Sequence, residues 1–121
     1  MNILEALNQI IDKGIEAVKR DYKEGTDKYN GSIAGFEECR NKNPGELANL
    51  LIKSRQDTQK AFLRASKDIT EGYWFVRCFE LEVEWVCNVL SAILQNNHLP
   101  VIVVPTCRGI MTAAEIIGVR K

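Results

Sequence analysis

The residues best suited to chemistry lie near the C-terminal end, in the run PTCRGIM at 105–111. A β-branched run feeds a tight segment, and a helix then starts. A helix N-terminus presents open backbone N–H groups, Gly109 permits close approach, and Arg108 supplies a cation. These are the ingredients of a phosphate site. The plain alternative is a capped helix with one exposed arginine, because the several glycines of a P-loop are missing.

A second group is aromatic: Tyr73, Trp74, Phe75, Phe79 and Trp85. Core packing accounts for most such rings, and a ring that escapes the core can stack on a base. Asn88 offers both a donor and an acceptor, which suits a nucleobase edge or a ribose, or equally a helix interface. A third group is the ladder Arg77, Glu80, Glu84. Its spacing predicts a helix-surface ion pair, and acid–base chemistry is the less favoured reading because no nucleophile or histidine accompanies it. The single histidine, His98, stands beside Leu99 and Pro100 and reads as a helix-end residue. Cys39, Cys78, Cys87 and Cys107 show no C-x-x-C spacing. A zinc site, a redox pair and a disulfide framework are therefore not expected, and buried reduced thiols are.

Helices must position these groups. From Asn2 to about Lys23, Ile3, Leu7, Ile10, Ile11, Ile15 (with Leu4), Val18 and Tyr22 recur at helical spacing, with Asn2 as N-cap and Glu5 three residues on. Tyr29, Ile33 and Phe36 predict a second helix within 24–43, separate from the first or continuous with it, which Gly31 and Gly35 weaken. Asn30-Gly31 also carries a turn signal. Asn43, Pro44 and Glu46 open a third helix that runs to about Ser66, apolar at first and then, through KSRQDTQK, polar and solvated.

The longest helix spans 69–97, capped by Asp68 and Glu71. At about 100° per residue, Tyr73, Arg77, Glu80, Glu84, Asn88, Ser91 and Gln95 form one narrow polar stripe. The rest of its surface is apolar, so other helices or a second copy of the chain must wrap it. Glu82 breaks that apolar surround, between Phe75, Phe79, Val86 and Val89, and a buried carboxylate there calls for a cation or a backbone donor. VIVV at 101–104 predicts a short strand that pairs with its copy across an oligomer interface. Thr106 caps a last helix that ends near Gly118.

The 121 residues fit one domain, and the 45% apolar fraction provides a core. Sixteen basic residues balance sixteen acidic ones, against a nucleic-acid binder or an anionic-membrane binder and permissive for self-association. No signal peptide and no membrane span are read, so a cytoplasmic protein is expected.

The segments DKYNGSIAGFEECR, YWFVRC…VEWVCNVL and PTCRGIMTAAEIIGV resemble, in order and in chain length, the phage Thoeris anti-defence sponges of the first type. The resemblance covers roughly residues 22–40 and 70–119. It implies a phage protein acting in the cytoplasm of an infected bacterium. Such proteins trap glycocyclic ADP-ribose isomers made by TIR-domain immune proteins, and do so without cleaving them. Some members assemble as trimers of dimers and also hold cyclic di- or trinucleotides, which bears on CBASS signalling. Carried onto this chain, the resemblance implies Phe75 or Phe79 for stacking, Asn88 for a polar contact and Arg108 for phosphate, with Gly109, Met111 and Thr112 lining the same pocket. It implies no cofactor, no metal and no catalysis. The competing readings are a helical module that docks a partner protein through the long helix, and a small nucleotide hydrolase or lyase.

Overall fold

A computed structural model describes residues 3–65 and 72–96 of the chain. Those residues are mainly helical: α1 (Ile3–Asp21), α2 (Asp27–Cys39), α3 (Pro44–Ala65) and α4 (Tyr73–Asn96). The predicted strand at 101–104, the last helix and the caps Asn2, Asp68 and Glu71 lie outside the described residues. Among the described residues, no helix is long and apolar enough to cross a membrane.

α1 buries Leu7, Ile10, Ile11 and Val18 of the stripe its periodicity predicts, whereas Ile3 and Leu4 in its first turn stay exposed. α2 is a separate helix and does not continue α1. Gly25 turns the chain with φ +86°, and Thr26 caps the N-terminus of α2. The Thr26 hydroxyl accepts from the Tyr29 N–H at 3.2 Å and donates to the Lys23 carbonyl at 2.7 Å. Asn30-Gly31 is not a turn but the interior of α2. The reason is tertiary: a Cβ at Gly31 would run into the Phe75 backbone, and one at Gly35 would come within 2.7 Å of the Phe79 carbonyl oxygen. The two glycines let α2 approach α4 backbone to backbone, and that contact outweighs the local turn preference.

α3 opens as its sequence predicts. The Asn43 side chain accepts from the Glu46 N–H at 2.8 Å, and Glu46 accepts from the Asn43 N–H at 3.0 Å, a closed capping box with Pro44 at the first helical position. Its polar middle is not wholly solvated. Ser54 and Thr58 are buried at 2% and 9% exposure. Their hydroxyls bond back to the carbonyls of Leu50 and Ser54, at 2.7 and 3.0 Å, and so are satisfied within the helix against α4.

α4 begins at Tyr73 rather than at the expected 69, with the Val76 N–H bonded to the carbonyl of Gly72, whose φ is +80°. It is wrapped, as its apolar circumference requires, by α1, α2 and α3 of the same chain. The core joins Leu7, Ile11, Phe36, Leu47, Leu51, Val83, Val86 and Val89. The Phe36 ring meets Trp85 edge-on at 5.7 Å, and it occupies space that any Cβ at Gly14 would need. Glu82 is buried at 1% exposure, at the depth its place in the pattern predicts. The wrapping is incomplete at the N-terminal end of α4, where Trp74 and Phe75 remain 46% and 37% exposed.

Candidate functional site

The polar stripe of α4 is partly covered: Glu80 and Glu84 are buried, and Tyr73, Arg77, Asn88 and Ser91 are half-buried. Tyr73 and Glu84 of the stripe meet α3, and the two helices run antiparallel along this seam. The seam begins with the Tyr73 ring, 6.4 Å from that of Phe62 on α3. Arg77 then bonds Glu80 at 2.8 Å, and one turn on Arg55 of α3 bonds Glu84 at 3.2 Å. Near the far end, the Cys87 thiol approaches the Leu47 carbonyl at 3.8 Å. Asn88 is half-buried at this end, one turn past Glu84.

The ladder is therefore more than a surface ion pair. Glu80 and Glu84 are buried, at 6% and 7% exposure, and Arg55 of α3 reaches Glu84. Burial pushes the Glu84 carboxyl above its ordinary range, the Arg55 hydrogen bond and charge pull it back, and Glu80 adds to the rise. The sequence does not reveal Arg55 as a partner, because it lies 29 residues away. The available signal is the set of two carboxylates and only one arginine on the stripe, which leaves one carboxylate in need of a cation.

At the N-terminal end of α4 the rings form a chain. Tyr73 meets Trp74 edge-on at 5.2 Å, and the Lys28 ammonium of α2 stands 4.6 Å from the Trp74 ring centre. Phe62 packs against Tyr73 from α3, and both it and its neighbour Leu63 stay largely exposed, at 61% and 60%. Phe75 is the exposed ring of the two stacking candidates, whereas Phe79 is half-buried and packs on the core.

Helix geometry separates these groups. Phe75 and Phe79 share a face. Asn88 lies nine residues beyond Phe79, about 180° round the helix and about 13 Å along it. From Phe75 it is about 140° round and about 20 Å along. One copy of α4 therefore does not bring either ring and Asn88 to the same point. Arg108, Gly109, Met111 and Thr112 lie outside the described residues.

Two of the described thiols, Cys39 and Cys87, are held in the protonated form by burial. Burial raises the Cys39 thiol far above its ordinary value, and raises Cys87 to about 11. Cys39, Cys78 and Cys87 are unbridged. Among the described residues, no three His, Cys, Asp or Glu side chains gather as a metal ligand set. No family model, no curated protein and no solved structure matches the chain.

Proposed function

We propose that this protein is a phage anti-defence sponge, which binds cyclic ADP-ribose isomers, and cyclic oligonucleotides as well, and keeps them from their effectors without cleaving them. One observation carries the reading: α4 presents exposed rings at one end and, further along, a half-buried amide one turn past Glu84, the carboxylate that Arg55 of α3 bonds. Stacking surface, amide and cation are what a nucleotide ligand needs. The resemblance in GSIAGFEEC, VEWVCNVL and PTCRGIM supports the identity of the ligand class. The angular separation of the ring face from Asn88 supports a pocket assembled from more than one chain, with Phe75 or Phe79 of one copy completed by Asn88 and the Arg108 segment of another. Suppressed thiols fit a protein that holds its ligand unchanged.

The test is a thermal-shift panel of cyclic ADP-ribose isomers and cyclic di- and trinucleotides, followed by heat release and chromatography of whatever bound. A tight ligand raises the midpoint by mass action, and the reading expects it back intact. Arg108→Ala should weaken binding by about tenfold or more, the worth of a charge-assisted contact. Recovery of an altered ligand would favour the hydrolase or lyase reading. A second reading has one observation of its own: Phe62, Leu63, Trp74 and Phe75 expose large apolar side chains, as protein-binding surfaces do. Native mass spectrometry of the protein isolated from infected cells separates the two, because a bound protein would replace the small ligand.

A further inference from the structure

Each of the two ion pairs on the α3–α4 seam has its charges arranged inside-out. In Arg55–Glu84 the carboxylate side chain is 9% exposed and the guanidinium 47%. In Arg77–Glu80 the values are 8% and 31%. The negative ends are buried, and the positive ends reach water. Leaving each cation at the surface spares its desolvation and keeps the outer face of the guanidinium open to a ligand.

The bonding is also one-sided. Arg55 uses Nη2 on Glu84, and Arg77 uses Nη1 on Glu80. A guanidinium carries five N–H donors in a fixed fork, so each keeps donors to offer beyond its carboxylate. Glu80 and Glu84 stand one helical turn apart, and Glu84 feels the charges of both arginines. Two forks held in place by buried acids lose little side-chain freedom when they take up an anion.

We propose that Arg55 and Arg77 form a seat for the phosphate groups of a nucleotide, with Glu84 and Glu80 as positioning residues behind them. The seat rests on the sponge reading and deepens it, by assigning to the α3–α4 seam a share of the ligand's two linked phosphates. It differs in mechanism from the site expected around Arg108: preorganised side chains act here in place of open backbone amides.

The probe is inorganic pyrophosphate, titrated calorimetrically into the full chain at moderate salt, alongside the cyclic ADP-ribose isomers. Arg55→Ala and Arg77→Ala should each weaken pyrophosphate binding by about tenfold, the worth of one charge-assisted bidentate contact. Arg20→Ala removes an exposed arginine paired with Asp21 on α1 and should change nothing. Arg55→Ala leaves Glu84 buried without its cation, so the double variant Arg55→Met, Glu84→Gln keeps the seam neutral and the fold intact. It should lose the same affinity. Binding to both Arg55 variants as to wild type, or an equal loss in Arg20→Ala, overturns the seat. If pyrophosphate binds through Arg55 while no cyclic nucleotide binds, the seat stands and the sponge reading falls. If the isomers bind and Arg55 is immaterial, the seat alone falls. Binding of neither probe overturns both.

Discussion

Residue by residue, the seam's chemistry is set by which groups are buried. Glu84 titrates above 4.5 because burial disfavours its charge more than Arg55 restores it. The sign of the pH effect comes from proton uptake. With its folded pKa raised, the native chain binds more protons than the unfolded chain in the window from 4.5 upward. Glu84's contribution to stability therefore falls as pH rises through that window. The melting point of wild type minus that of Glu84→Gln should be more favourable to wild type near pH 4.5 than at pH 7. A difference that grows with pH would contradict the assignment. Buried thiols give a second residue-scale outcome. With Cys87 raised to about 11 and Cys39 higher still, neither should react with a disulfide reagent at about pH 8 until denaturant is added. Counting labelled cysteines by mass spectrometry before and after unfolding checks it.

Among elements, the informative contrast is between the interior of α2 and the start of α3. Asn43, Pro44 and Glu46 lie within four residues of one another, so local sequence suffices to predict the capping box that forms. Asn43→Ala should cost about 1 kcal/mol in denaturant unfolding. Gly31 and Gly35 read locally as a turn signal and as weak points, because their purpose resides in a distant partner: the α4 backbone at Phe75 and Phe79. In an exposed helix, Gly→Ala stabilises by up to about 1 kcal/mol. Here Gly31→Ala should destabilise by about 1–3 kcal/mol, because the atom it would strike is backbone and cannot turn aside. Gly45→Ala, whose Cβ meets nothing nearer than 3.4 Å, should show no such loss. Distance in sequence likewise hides Arg55 from Glu84, and the packing of α3 on α4 hides the burial of Ser54 and Thr58. Periodicity marks the apolar stripe of α1 from Leu7 onward, but not the exposure of Ile3 and Leu4 or the burial of Glu80 and Glu84 on α4. It does not say which neighbour each stripe will meet.

For the whole molecule, formal net charge zero and an exposed aromatic end on α4 favour association over repulsion. A pocket that joins the ring face of one α4 to the Asn88 face of another requires at least two chains. Light scattering coupled to gel filtration should accordingly report a dimer or a larger even assembly. Trp74→Asp should shift it toward the single chain by placing charge on the exposed end of α4. A strictly monomeric wild type that still binds ligand would remove the shared-pocket geometry.

The two tryptophans occupy opposite environments: Trp85 is locked edge-on against Phe36 at 3% exposure, and Trp74 stands 46% exposed beneath Lys28. Their emission should separate accordingly, blue-shifted from the interior indole and red-shifted from the outer one. Acrylamide should quench the red component first. An event confined to the rim of the helix bundle would alter that component alone, while loss of the fold would merge the two. The protein thus carries its own two-colour optical reporter, with no added dye.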